Sequence, residues 1–456
     1  MVNPTIEEVF PAVGKPTFTY VERDSGLNER RLSAGLNNPG QICLLTGPSK
    51  TGKTSLYREV LPRIKRQELV IRCSGKLSAS EFWASALESL DFSRLAEAST
   101  GWGLKLGAKI GASGEAGWSW LAKAMATVGF DVSASGDYAI KREIVKSSLS
   151  AKHLIPLLQQ MPIQLVVEDF HYLEQDVKTE VFQQWKAFTD EGVSVLVIST
   201  THHSVDIARA NPDLTGRTRL IDVGQWSEVD LAKIPEKGFN ILGIKHSKLS
   251  TSQIAKESVG LPIITQQICQ EIANAHDMTP GSIKRKANIL TRDIETAQRY
   301  VAENLYGNHK ADYEQLAAGP RQSRRKHATY EMILASFALE PLKFSLPYSE
   351  LLDRVNRLCS KKEPIPAASI NAALRALGSF QQRKKMSLLD WYESESKLYI
   401  IEPSFLFYLR QRLDNNSAGD DFTQKLIKLF DMVQANGGKV EFKMMPADDN
   451  EEPTLL

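Results

Sequence analysis

Residues 41–56, QICLLTGPSKTGKTSL, decide how the chain is read. Ile42–Leu45 is an apolar run of the length expected for a buried strand, and Gly47–Thr54 fits G-x-x-x-x-G-K-[ST] at every fixed position. Gly47 and Gly52 permit a tight turn. The loop between them (Pro48, Ser49, Lys50, Thr51) can then aim its backbone N–H groups inward at phosphate oxygens. Lys53 supplies a point charge for β- and γ-phosphates, and the Thr54 hydroxyl is a ligand for Mg²⁺. Ser55 continues into a helix whose N-terminal dipole favours the same anion. The stretch implies a bound nucleoside triphosphate.

A second chemical element lies downstream. Ile163–Val167 is an apolar strand that ends in Glu168-Asp169-Phe170-His171. Paired carboxylates at a strand end supply what a phosphate loop lacks, one group to orient Mg²⁺ and one to polarise the attacking water. We assign Glu168 to the metal and Asp169 to the water, and give His171 a structural role. Val193–Ile198 is a further buried strand, followed by Ser199-Thr200-Thr201-His202-His203, where Ser199 or Thr200 is positioned to sense a γ-phosphate or to cap a turn. Leu69–Cys73 and Arg219–Val223 complete five strands. Their alternation with helical patterns from 41 to 223 predicts an α/β fold, a mainly parallel sheet covered by helices on both faces. Among the helical patterns, Ser78 and Glu81 form a capping box ahead of Phe82, Trp83 and Ala86, and Val181, Phe182, Trp185 and Phe188 share one face.

The flanking sequence sets the domain plan. Residues 1–40 form an N-terminal arm with a helix at Leu27–Leu36, and 41–225 the phosphate-loop domain. Within that domain 98–136 hold 21 Gly, Ser and Ala in 39 positions, with alternating apolar residues on both flanks of a helical piece. They read as an inserted hairpin, either a decoration packed on its own domain or a partner surface carrying Trp102, Trp118 and Trp120. After Trp226 strand signals vanish, and 226–307 read as a helical lid. It holds a helix capped by Ser227 and Asp230, a second at Thr251–Ser258, a third after Gly260-Leu261-Pro262, and a fourth at Thr291–Asn304. A polar linker is expected at 308–327. Helices at Tyr330–Leu339, Tyr348–Leu358 and Ala367–Ser379, then a hairpin containing Leu398–Ile401, give 328–415 the order of a winged helix. A C-terminal helix and acidic tail follow at 416–456.

Composition narrows the function classes. Net charge is +2, so nucleic-acid affinity needs a local patch. Residues 321–413 provide one, with 16 Lys/Arg against 9 Asp/Glu, gathered in Arg321–Lys326 and Arg383–Lys385. The four cysteines are far apart and form no C-x-x-C pair, which argues against zinc or a disulfide framework. Met1–Phe10 lacks a signal-peptide layout, and no uncharged apolar run reaches bilayer length. The expected location is cytoplasmic, with no membrane partner.

With these motifs in hand, residues 16–413 resemble the STAND branch of AAA+-related P-loop ATPases, close to origin-recognition ATPases. The resemblance rests on TYVER (Thr19–Arg23), GPSKTGKT, VVEDFHYL (Val166–Leu173), GLP (Gly260–Pro262) and GRTRLIDVGQW (Gly216–Trp226). It implies ATP and Mg²⁺ as cofactors, an arm carrying Tyr20 and Arg23 that packs on adenine, and base contact by Pro262. The family's arginine after the fourth strand is replaced here by Thr201-His202, and Arg217 or Arg219 is the remaining candidate to reach a phosphate from the same or a neighbouring subunit. The resemblance further implies a slowly hydrolysing switch that self-assembles or engages a separate effector protein, in a prokaryotic defence or stress-response setting. The alternative is a DNA-binding initiator or transposition regulator that uses Asn371 and Arg375. A third is a nucleotide-binding scaffold without turnover.

Overall fold

The computed structural model describes residues 4–88, 154–155, 158–159, 162–199, 214, 216–275, 288–319, 329–359 and 365–414. The inserted hairpin, Thr200–His203, the basic run Arg321–Lys326 and the tail 416–456 lie outside them. The chain divides into two compact units, Met1–Leu305 with Ile401–Ser404, and Tyr306–Ile400 with Phe405–Leu456.

Among the described residues the first unit is built on a five-stranded sheet, all of its pairs parallel: β1 (Ile42–Thr46), β2 (Gln67–Arg72), β3 (Ile163–Glu168), β4 (Val195–Ser199) and β5 (Thr218–Asp222). Their spatial order is β2-β3-β4-β1-β5. β1, β3 and β4 are buried at every position, the pattern of strands covered on both faces. Successive β1 side chains go to opposite layers. Cys43 and Leu45 pack with Leu32 and Leu36 of α2 (Leu27–Asn37) and with Leu56, Tyr57 and Val60 of α3 (Lys53–Arg63). Ile42 and Leu44 belong to the other core, with Phe82 and Trp83 of α4 (Ala79–Glu88) and Phe182, Trp185 and Phe188 of α5 (Gln175–Asp190). Trp83 and Phe188 stack at 5.4 Å, so the α4 and α5 patterns meet as one aromatic layer. The Ser78–Glu81 capping box forms in both directions.

Among the described residues, four helices follow, α6 (Glu228–Leu242), α7 (Lys248–Glu257), α8 (Pro262–Ala275) and α9 (Thr291–Asn304). Ser227 caps α6 by accepting from the Asp230 N–H at 3.1 Å, and Pro262 is the first residue of α8, where its missing N–H costs nothing. The short α1 (Ile6–Val9) anchors the N-terminal arm on this module: Phe10 meets Phe239 edge-on at 5.3 Å and lies against Gly238. A Cβ at Gly238 would stand 2.1 Å from the Phe10 ring, so glycine is needed for close approach there.

The second unit contains α10 (His309–Ala318), α11 (Thr329–Ala338), β6 (Ser345–Pro347), α12 (Tyr348–Leu358), α13 (Ala367–Lys384), β7 (Leu389–Tyr392), β8 (Lys397–Ile400) and most of α14 (Ser404–Asp414). Its antiparallel sheet has the order β6-β8-β7. Two expectations need correction, and one strand had no counterpart in the sequence reading. The first half of the expected linker is helix α10, because Tyr313 and Leu316 bury one face before Gly319 ends it. α13 runs past Ser379, since Phe380 and Gln381 stay buried and Gln381 ties both the N–H and C=O of Leu389. β6 escaped notice because it has three residues and one buried side chain.

Candidate nucleotide site

The carboxyl ends of the strands converge. In register, Thr46 stands beside Ser199 on one side and Asp222 on the other, and Arg72 stands beside Glu168. The loop Gly47–Gly52 leaves β1 at this end and enters α3 directly. Its backbone is unusual at three points: Gly47, Lys50 and Gly52 have φ of 150, 65 and 94 degrees. A Cβ at Gly47 would lie 2.4 Å from the Val223 carbonyl, so this position has room only for glycine.

The loop is closed on itself. Thr51 Oγ1 donates to the Pro48 carbonyl at 2.9 Å, and Lys53 Nζ donates to the Gly47 and Pro48 carbonyls at 2.8 and 2.7 Å. Burial pushes the Lys53 ammonium down to about 8, while the charges of Asp169 and Asp222 act to hold it up. Glu168 is 9% exposed. Its Oε1 accepts from Tyr57 OH at 3.0 Å and lies 3.5 Å from Thr54 Oγ1, and Oε2 pairs with Arg72 Nε at 3.3 Å. Asp169 follows in a left-handed conformation, φ 60 degrees, with an exposed side chain. Partial desolvation of its carboxyl group by the surrounding protein and the neighbouring Glu168 raise its pKa, against the lowering effect of Lys53 and Arg72. Ser199 Oγ and Thr46 Oγ1 are buried and hydrogen-bond to no group among the described residues. Two orphaned hydroxyls at the mouth of a phosphate-type loop are what a polar ligand would satisfy.

Beside the loop lies a cleft lined by Tyr20, Arg23, Thr51, Gly52, Ser55 and Pro262, among others. The structure thus brings the arm, the loop and the start of α8 to one place. Arg23 is half a surprise. Its guanidinium donates to the Gly224 and Gln225 carbonyls at 3.2 and 3.0 Å and lies 5.0 Å over the Trp226 ring. Trp226 in turn donates from Nε1 to the Thr51 carbonyl at 2.9 Å. Arg23 therefore braces the segment leading from β5 to α6. Neither Arg217 nor Arg219 reaches the loop within this chain. Arg217 precedes β5 at the opposite end of the parallel sheet and pairs with Asp190, and Arg219 stands level with Cys43, against Gly35.

Sequence reasoning missed Asn28, Glu29, Ile234 and Gln266, which also line the cleft. Nothing in their local pattern marks them, since they come from three separate helices. Among the described residues there is no group of three His, Cys, Asp or Glu able to hold a metal, and no helix long and apolar enough to cross a membrane. A hydroxyl and one carboxylate, Thr54 and Glu168, are the donor set that Mg²⁺ uses with substrate phosphates.

No family model matches the sequence, and no curated protein matches it either. Solved structures do. The Walker-type ATPase PABY2304 of Pyrococcus abyssi is 16% identical, the match covering 88% of this chain and 99% of that one with a TM-score of 0.53. Cdc6p from Pyrobaculum aerophilum is 14% identical over 93% and 98% of the two chains, TM-score 0.39. The Aeropyrum pernix Orc1 protein, solved in complex with DNA, is 13% identical over 90% and 96%, TM-score 0.39. The likeness to the first establishes a fold and nothing further. Together with the sheet and loop described above, it makes this chain's first unit an α/β fold of the P-loop NTPase type.

Proposed function

We propose that this chain is a Mg²⁺-dependent ATP-binding regulatory ATPase of the STAND/AAA+-like kind. Its nucleotide state would govern self-assembly or engagement of a separate effector, with slow hydrolysis as the reset. One observation carries the reading: a single cleft joins the phosphate loop to both the N-terminal arm and the helices after β5. A ligand spanning that cleft contacts sheet and helical module together. Nucleotides that differ by one phosphate can then favour different positions of the module.

The residues present fit the group. Backbone N–H groups of the loop and the Lys53 ammonium, turned from its own carbonyls, would bind the phosphates; Thr54 and Glu168 would hold Mg²⁺, supported by their 3.5 Å separation. Held by these two residues, Mg²⁺ would supply positive charge to offset that of the phosphates. Asp169, with its raised carboxyl pKa and exposed position, suits the group that polarises the attacking water. Ser199 and Thr46 would donate to the terminal phosphate or its water. Tyr20 and Pro262 would flank the base. The assignment to a defence setting rests on the family resemblance alone.

The mass of the full chain in solution tests the switch. Mass photometry with ATP, a non-hydrolysable analogue, ADP and no nucleotide is expected to show an ATP-dependent change that Lys53→Ala loses. Equal masses in all four states refute assembly by this chain.

A specific observation also favours a DNA-binding reading. The second unit's order of helix, strand, two helices and a hairpin supports a winged helix, and α13 keeps one face exposed with Asn371, Arg375, Gln382 and Arg383 on it. Salt-dependent gel shifts that weaken in an Arg383/Lys384/Lys385 triple alanine would favour it.

A further inference from the structure

The cleft beside the loop contains one carboxylate that the functions above leave unused. Glu29 lies on α2 and is 5% exposed. Its Oε1 accepts from the Tyr20 hydroxyl at 2.7 Å, while Oε2 is buried and meets no hydrogen-bond partner among the described residues. An acceptor closed off from water without a donor is costly, and native structures rarely leave one unless a ligand or water completes it. The nearby cation offers Oε2 no hydrogen bond here: Arg23 donates from its two terminal nitrogens to the Gly224 and Gln225 carbonyls, its buried Nε meets no partner among the described residues, and its charge acts on Glu29 only through space.

Glu29 shares the cleft with two kinds of surface. Thr51, Gly52 and Ser55 form its phosphate-loop side, and Val21, Ile234 and Pro262 offer apolar contact suited to a flat ring. A nucleotide running from the loop across these apolar groups brings the polar edge of its base to the remaining wall. We propose that Glu29 is the specificity-determining residue of this cleft, its Oε2 accepting from the 6-amino group of an adenine base. The inference rests on the nucleotide reading above.

The chemistry favours that donor over its rivals. A carboxylate oxygen accepts and does not donate, so it pairs with an amino group and repels a carbonyl oxygen at the same position. Guanine and hypoxanthine carry that carbonyl at position 6. Guanine also offers adjacent N1–H and 2-amino donors, but pairing with both takes two carboxylate oxygens. Tyr20 already holds Oε1, and burial together with Glu29 keeps its phenol protonated by raising its pKa. Oε1 accepts from Tyr20 and Oε2 is wholly open among the described residues, so the discrimination rests on Oε2 facing the 6-amino group of adenine rather than a 6-carbonyl. Ribose hydroxyls also donate, and the experiment separates them from the base.

Equilibrium binding of Mg²⁺ complexes of ATP, ITP, N6,N6-dimethyl-ATP and 2′-deoxy-ATP to the full chain tests the proposal, in the wild type and in the isosteric Glu29→Gln. The wild type is expected to bind ATP at least about tenfold tighter than ITP or the dimethyl analogue, the scale of one unsatisfied buried group. In Glu29→Gln, whose amide both donates and accepts, the ATP-to-ITP ratio should fall to within about threefold. The ratio of ATP to 2′-deoxy-ATP should be the same in both proteins. The proposal is overturned by equal wild-type affinity for ATP and ITP, by an unchanged ratio in Glu29→Gln, or by an effect confined to the deoxy comparison. The dimethyl analogue decides the matter on wild type alone if the variant does not fold. Failure of the nucleotide reading is distinct: neither ATP nor inorganic tripolyphosphate then binds the wild type, and both ideas go together.

Discussion

Raising the pH should release nucleotide from this protein in a range where an ordinary lysine would not respond. Lys53 is enclosed by the loop and its ammonium is pushed down to about 8 before any ligand arrives. Phosphate oxygens favour the charged form, so the pKa rises on binding and the complex takes up a proton. With a free-state value of about 8 and a bound-state value above the range studied, the free protein is about three-quarters protonated at pH 7.5 and about one-tenth at pH 9. Affinity therefore falls about eightfold between those two pH values, about 1.3 kcal/mol, whereas a lysine at its ordinary value would change it by a few per cent. The direction follows from the sign of the shift: the free state holds fewer protons than the bound state as pH passes 8, so alkali favours the free state. Isothermal titration in two buffers of different ionisation enthalpy measures the proton directly, with uptake of about half a proton per nucleotide at pH 8. Neutralising Asp169 removes a charge that holds the ammonium up, so in Asp169→Asn the decline should begin at lower pH. Affinity that stays level from pH 7.5 to 9 with no proton uptake refutes the reasoning.

Three further outcomes follow from particular contacts. Asp169→Asn should lower ATP turnover by about 10²–10⁴ while binding at neutral pH changes little, as phosphate-release assays beside equilibrium titration would show; unchanged turnover removes Asp169 from the chemistry. Gly238→Val forces a side chain into the Phe10 ring, which a Cβ alone would meet at 2.1 Å, so thermal or urea unfolding should show a loss of about 1–3 kcal/mol. Arg354 is 3% exposed and donates to the Ser336, Leu339 and Pro341 carbonyls as well as to Glu350. Arg354→Ala strands three backbone carbonyls while Glu350 keeps Lys343, so it should destabilise the second unit by about 2–4 kcal/mol, read by chemical denaturation monitored within that unit, and a loss under 1 kcal/mol would contradict the contact set.

Much of the sheet was legible because a strand buried on both faces leaves an uninterrupted apolar run. β1, β3 and β4 are such runs, and the loop, Glu168 and Asp169 follow them directly in sequence. Fixed spacing made the loop side of the cleft readable in the same way. The opposite side was not. Tyr20, Arg23 and Pro262 were reached through a family resemblance, and Arg23 turns out to direct its two terminal nitrogens to backbone carbonyls. Glu29 sits in Asn28-Glu29-Arg30-Arg31, a run indistinguishable by composition from a solvated helix face, and only the packing of α2 against the arm buries it. Gln266 joins it from α8, where it donates to Thr19 Oγ1 at 2.8 Å, a pairing across 247 positions that no local pattern encodes. Boundaries slipped where tertiary contacts extend an element, as at the end of α13, where Gln381 holds the start of β7.

The measurement closest to the central claim is a titration of the purified full chain with Mg²⁺-ATP, wild type beside Lys53→Ala. Saturable one-to-one binding by the wild type and its loss in the variant is the predicted result. Equal binding by both proteins, or none by the wild type, would contradict the assignment of this loop and cleft as a nucleotide site.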